Sequence, residues 1–230
     1  MKIGSLSAAW SAQPLEEVLD FFAGAGLQAI EIGAGAYPGN AHCNAVELNK
    51  SAKKREALAK ARRQLDAHRI RFVPATNEDL AATALWGTQQ LNFFPGARHD
   101  GVFGIWYGKG PGVDRSGDAL RHANQSGSAA LGGVIAIAGD DHAAKSSTIA
   151  AQTDLIFQAV SMPVLAPAAL QDYLDFGLHG FAMSRFSGLW IAIKSVTDTL
   201  ETAGIVDVSP TRIASVLPAD VPMPPGGLNA

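Results

Sequence analysis

The sequence predicts an α/β protein whose larger part is a doubly wound parallel sheet, preceded by an incomplete strand–helix–strand opening. Two observations carry this. From Asn77 onward, apolar runs such as GVFGIWY (101–107), GGVIAIA (132–138) and LWIAIKSV (189–196) alternate with segments of helical periodicity. The runs are also continuous rather than alternately polar and apolar, which is the pattern of strands covered on both faces by crossover helices.

Taken in order, Lys2–Ala9 is short and apolar and reads as a strand. Pro14–Ala25 carries Leu15, Val18, Leu19 and Phe22 at helical spacing, and Ala29–Gly33 is again strand-like. Pro14 suits a first helical turn, and Gly24 with Gly26 supplies the stop. A loop follows over Ala34–Asn44. Glu47–His68 is a charged helical stretch whose thin apolar face (Leu48, Ala52, Leu58, Leu65) suits a surface helix or connector. The regular alternation then begins: helix Glu78–Leu91 and strand Gly101–Tyr107, helix Gly112–Ser126 and strand Gly132–Ala138. Helix Thr148–Val160 leads to strand Met162–Ala166, helix Ala168–Ser184 to strand Leu189–Val196, and a helical turn over Thr197–Ala203 closes the series. Pro218–Ala230 is rich in proline and glycine and reads as a truncated linker. The expected organisation is an opening fragment over 1–60, an α/β domain over 61–217 and the linker over 218–230.

Composition bounds the partners. The 230 residues are 47% hydrophobic and 17% charged with a net charge of −3, and the pI is near 6.0. These values fit a soluble globular protein and argue against a nucleic-acid partner. Cys43 is the single cysteine, so an internal disulfide and a cysteine-ligated iron–sulfur cluster are excluded, in keeping with a reducing cytoplasm. The N-terminus carries no secretory pattern, and the purest apolar stretch, 132–139, is far below the roughly 18 residues that a membrane span needs.

No Walker loop, HExxH, GxSxG or CxxC is present, and Gly33-Ala-Gly35 continuing to Gly39 has the wrong spacing for a dinucleotide fingerprint. Asp140, Asp141 and His142 fall at the end of a buried strand, where open α/β sheets bind ligands, although the start of the next helix would explain them equally. Ser146, Ser147 and Thr148 suit either a helix cap or an anion site. Lys109-Gly-Pro-Gly-Val-Asp114 follows another strand end, and its glycines suit either a close approach of backbone to a ligand or a sharp turn. His99, His122 and His179 have no metal-like spacing. Trp86, Phe93, Phe94 and Trp106 are expected to fill core.

The strings NEDLAATALWGTQQLNFFPGARHDGVFGIWYGKGPGVDRSGDALRHAN, GGVIAIAGDDHAAKSST, MPVLAPAALQDYLDFGLHGFAMSRFSGLW and LPADVPMPPGGLN occur in this order across roughly the last three quarters of the chain. The segment from about residue 61 resembles thiamine-diphosphate-dependent 2-oxo acid:ferredoxin oxidoreductases of the indolepyruvate type. The resemblance implies a pyrimidine-binding-type α/β domain in which Glu78, in NEDLAATALWG, hydrogen-bonds N1′ of the cofactor's aminopyrimidine and so promotes loss of the thiazolium proton. A first-turn acid complementing the helix dipole is the alternative role for Glu78. In the family the cofactor decarboxylates an aryl 2-oxo acid, ferredoxin takes the electrons and coenzyme A takes the acyl group. By the same resemblance Lys109, Asp114 and Asp118 lie beside cofactor and substrate, with Asp140, Asp141, His142, Lys145, Ser146 and Ser147 next in rank.

The sequence departs from the family as well. It is several times shorter and lacks the domain that carries the Mg²⁺ and diphosphate ligands, the coenzyme A half, the cluster cysteines, and the family's first strand and glycine-rich substrate loop. Only half a cofactor site is therefore expected, to be completed by a dimer or a missing-domain partner, and the fragment alone is expected to be inactive. The opening, MKIGSLSAAW with LEEVLDFFAGAGLQAIEIGAGAYPGNAHCN, resembles instead the first units of sugar phosphate isomerases/epimerases of the xylose-isomerase-like barrel family, where His42 would be a pocket residue, although an exposed loop histidine explains it more simply. A join between about Lys53 and Gln64 makes the chain chimeric, and two βα units do not close an eight-stranded barrel. The readings that follow are an oxidoreductase fragment, a metal-dependent isomerase fragment, or a non-catalytic fragment. Lys2–Ala9 or Ala29–Gly33 is further expected to substitute for the lost strand of the α/β sheet.

Overall fold

The computed structural model describes residues 70–222 apart from 94, 146, 147, 210 and 217, together with strand segments Gly4–Leu6 and Ala29–Glu31 and scattered helical positions between 52 and 67. The expected helix Pro14–Ala25, His42, Cys43, Phe94, Ser146, Ser147 and the end of the tail lie outside the described residues. The chain divides into two compact units, Met1–Val73 with Glu201–Val208 and Pro74–Leu200 with Ser209–Ala230.

In the first unit, β1 (Gly4–Leu6) and β2 (Ala29–Glu31) pair in parallel, Gly4 opposite Ala29 and Leu6 opposite Glu31. Parallel neighbours need a long crossover, which agrees with the strand–helix–strand pattern. Neither strand belongs to the four-stranded sheet of the second unit, which corrects the expectation that one of them replaces a lost strand there.

The second unit runs α1 (Glu78–Gln89), β3 (Phe103–Lys109), α2 (Gly110–Arg115), α3 (Gly117–Ser126), β4 (Gly133–Asp140), α4 (Asp154–Ala159), β5 (Val164–Leu165), α5 (Leu170–Ser187), β6 (Ile191–Val196) and α6 (Thr197–Leu200). Its sheet is wholly parallel, in the order β3-β4-β6-β5. Alternation along the strands then assigns the two faces. Val134, Ala136 and Ala138 of β4 and Ala192 of β6 cluster with Trp106, Val113, Leu120, Phe157 and Trp190. On the opposite face, Ile135 and Ile193 pack with Phe181 of α5. Helices thus cover both faces, as a doubly wound parallel sheet requires, and each large buried side chain contributes roughly 2–3 kcal/mol of apolar burial.

Several boundaries differ from those the sequence predicts. The single helix expected over Gly112–Ser126 begins at Gly110 and is broken at Ser116, whose ψ of 5° leaves the α-helical path before Gly117 restarts it. The helix expected from Thr148 begins at Asp154. Residues after β4 instead fold back so that Asp141 bridges Ala151 in antiparallel fashion, and Thr148 is an exposed bend residue, not a cap. β5 is only Val164–Leu165, because Pro163 and Pro167 flank it and lack the N–H that a longer ladder needs. Phe93, expected in the core, is 78% exposed on a short 3-10 turn. Among the described residues, no helix is long and apolar enough to cross a membrane.

Candidate functional site

The carboxyl edge of the sheet gathers two clusters of polar side chains on either side of the glycine-rich segment after β3. The first is built on the start of α1. Asn77 has extended backbone, and its side chain accepts the Leu80 N–H at 2.9 Å, so the helix begins at Glu78 with Glu78 and Asp79 in its first turn. Trp106, buried in β3, donates its indole N–H to the Glu78 carbonyl at 3.0 Å. The Glu78 side chain is half-buried and lies flat against Gly112 of α2. A Cβ at Gly112 would stand 2.7 Å from Glu78 Cγ and 2.8 Å from Oε1, so glycine is what admits the carboxylate there. Among the described residues, no side chain pairs with that carboxylate. Asp79 beside it accepts from the Ser116 hydroxyl at 3.1 Å and sits 3.4 Å from Arg115 Nε.

The second cluster surrounds the end of β4. Asp140 is the last strand residue and its side chain is fully buried; Oδ2 accepts the Thr153 N–H at 3.1 Å and lies 3.8 Å from Lys194 Nζ of β6. Lys194 bonds Asp154 Oδ2 at 2.5 Å, and that ammonium holds the Asp154 carboxyl below its ordinary value. Asp140 Oδ1, Thr153 Oγ1 and Ser195 Oγ are buried without hydrogen-bond partners. His142, Ala150, Ala151, Gln152 and Lys194 line an adjoining shallow cleft of about 500 Å³.

The loop between β4 and α4 is shaped by Asp141. Its carbonyl accepts the Ala144 N–H and its Oδ1 accepts the Lys145 N–H at 2.9 Å, while Ala144 takes a φ of 52°. That left-handed conformation costs an alanine roughly 1 kcal/mol, which the Asp141 bonds offset.

The glycine-rich segment separates the clusters and is tight on both sides. A Cβ at Gly110 would meet Ala151 Cβ at 2.4 Å and approach Asp140 Oδ1 to 3.9 Å, just as one at Gly112 would meet Glu78. Lys109 closes β3 and is the N-cap residue of α2, half-buried.

The expected residues therefore distribute unevenly. Glu78 and Lys109 lie at the start of α1 and the end of β3. Asp140, Asp141 and His142 lie at the end of β4 with Lys145, whose ammonium is 3.7 Å from Asp198. Asp114 is exposed on α2, and the 90% exposed Asp118 carboxylate turns to His122 of its own helix at 3.4 Å. Ser146 and Ser147 lie outside the described residues. The sequence reading missed Asp79, Asp154 and Lys194. A lone lysine inside the otherwise apolar strand IAIKSV was the available signal for Lys194, whereas nothing local distinguishes Asp154. Among the described residues, no group of three or more His, Cys, Asp or Glu side chains could hold a metal ion. No family model matches the chain, and no curated protein is significantly similar to it.

Proposed function

We propose that the α/β unit is the pyrimidine-binding half of a thiamine-diphosphate-dependent 2-oxo acid:ferredoxin oxidoreductase of the indolepyruvate type, with Glu78 as the carboxylate that meets N1′ of the aminopyrimidine. The observation that carries this reading is a half-buried carboxylate at the carboxyl edge of a parallel sheet, without a side-chain partner among the described residues and laid on a glycine that leaves it room. Such a group fits a ring nitrogen: it accepts a hydrogen bond from the protonated ring and is sheltered enough for that bond to outcompete water. Bound there, thiamine diphosphate supplies the chemistry that decarboxylates an aryl 2-oxo acid, with ferredoxin as electron acceptor and coenzyme A as acyl acceptor.

The chain's own residues perform the pyrimidine side of this task. Glu78 holds or releases the proton at N1′, and Gly112 keeps the ring's approach open. Asp140 and Lys194 tie the ends of β4 and β6 together on the other side of the glycine-rich segment. On this reading the diphosphate and Mg²⁺ are held by a partner domain, the setting is the cytoplasm, and the chain alone has no turnover.

Calorimetry of the full chain with thiamine diphosphate and Mg²⁺ tests the proposal. Saturable binding is expected, and Glu78→Gln should weaken it about a hundredfold while changing stability by no more than about 0.5 kcal/mol, as for most partly exposed positions. Absence of binding, or equal binding by Glu78→Gln, would favour a non-catalytic fragment.

A further inference from the structure

We infer that Asp79 is a positioning residue for the Glu78 carboxylate; this rests on the reading of Glu78 as the partner of N1′. The first turn of α1 is already capped by Asn77, so Asp79 is not needed to satisfy its amides. Its carboxylate instead reaches the joint between α2 and α3, accepting from Ser116 Oγ at 3.1 Å with Arg115 Nε at 3.4 Å. That joint is a firm anchor. Ser116 is fully buried, its N–H is shared between the Gly112 and Val113 carbonyls, and its own carbonyl accepts the Leu120 N–H at 2.8 Å. α2 also carries Gly112, the surface on which Glu78 rests. Asp79 therefore sets the spacing between the turn that bears Glu78 and the helix against which Glu78 lies. With the Trp106 indole bond to the Glu78 carbonyl, it leaves the Glu78 side chain little freedom beyond its own rotamers. A first-turn acid that merely complemented the helix dipole would need its charge but not Ser116.

The test is a double-mutant cycle on the full chain, read by calorimetric affinity for thiamine diphosphate with Mg²⁺. Asp79→Ala is expected to weaken binding about tenfold, the size of one lost hydrogen bond. The same substitution in the Glu78→Gln background should weaken residual binding no further. Ser116→Ala should reproduce the effect, and Asp79→Asn, which keeps an acceptor for Ser116, should restore most of the affinity. A second readout needs no ligand: exchange of the Trp106 indole proton, followed by NMR, should quicken about tenfold in Asp79→Ala, with the buried Trp190 indole unchanged. If Glu78→Gln loses binding but Asp79→Ala and Ser116→Ala do not, or if they weaken both backgrounds equally, the positioning role is overturned and the reading of Glu78 stands. If the wild-type chain does not bind, or Glu78→Gln binds as well as wild type, that reading falls and this inference falls with it.

Discussion

Gly112 and Gly101 lack a Cβ for different reasons, and the difference predicts separable effects of a single methyl group. At Gly112 the obstacle is the Glu78 side chain, which can swing aside. Gly112→Ala should therefore change stability by less than about 1 kcal/mol, helped by alanine's better helix propensity, and, on the proposed reading of Glu78, should weaken calorimetric binding of thiamine diphosphate. At Gly101 the obstacle is the Leu131 backbone carbonyl carbon at 2.2 Å, which cannot move without the turn before β4. Gly101→Ala should cost about 3 kcal/mol in urea unfolding; a loss below 1 kcal/mol would show that the turn gives way easily. Charge acts at the same scale. The Arg212 guanidinium contacts Asp175 through two nitrogens and, as the largest influence, holds its carboxyl below the ordinary value of 3.8. A depressed folded pKa means stability that is present above that value and lost as the pH falls through the lowered one. Asp175→Asn should thus lower the melting temperature at pH 6 by the equivalent of about 1 kcal/mol, with the difference from wild type fading below pH 3.8. Asp154, held down chiefly by Lys194, follows the same direction, but its side chain is 37% exposed and solvent screening reduces its share.

Among the elements, α3, β6 and the turn after α4 meet at one side chain. Asn124 is fully buried; its amide donates to the Val160 and Ser161 carbonyls at 2.9 Å each and its oxygen accepts the Trp190 N–H at 2.9 Å. Asn124→Ala strands three backbone groups, so a loss of about 3 kcal/mol is expected from chemical unfolding, and a loss under 1 kcal/mol would mean that water replaces the amide without penalty. Nothing in the sequence marks Asn124, which reads as one polar residue in a surface helix. That contrast defines what was legible. Continuous apolar runs gave β3, β4 and β6 because burial on both faces leaves a local signature. The helical run from Glu78 gave the start of α1 because its periodicity is also local. The break at Ser116 and the fold-back of Asp141 onto Ala151 were not legible, since each depends on a partner more than eight residues away: Asp79 for Ser116, Ala151 for Asp141. The candidate site divides in the same way. Strand ends pointed to Asp140 and Asp141, whereas the Lys194–Asp154 pair joins β6 to α4 across 40 positions, so that the lone lysine in IAIKSV carries a local trace but its partner Asp154 does not.

For the molecule as a whole, the core described in the second unit is built from that unit's own residues. Its buried hydrophobic residues run from Ala82 to Ile193, and all four strands of its sheet pair with one another. Its size lies within the range of independently folding domains, and helices cover both faces of the sheet. One surface remains partly open: Phe103, Ile105 and Tyr107 on edge strand β3 are 50%, 54% and 45% exposed, although Phe103 packs edge-on against Phe181 with the Arg185 guanidinium above its ring. A chain begun at residue 70 should consequently retain one cooperative thermal transition by circular dichroism, with a midpoint within about 4 °C of the α/β transition of the full chain, equivalent to roughly 1–2 kcal/mol. If the proposed reading of Glu78 holds, the same shortened chain should match the full chain in its affinity for thiamine diphosphate, because Glu78, Asp79, Ser116 and Gly112 all lie within it. A gradual, non-cooperative melt would show that the sheet depends on the preceding residues. A cooperative melt with lost binding would count against the assignment of the cofactor's pyrimidine to Glu78.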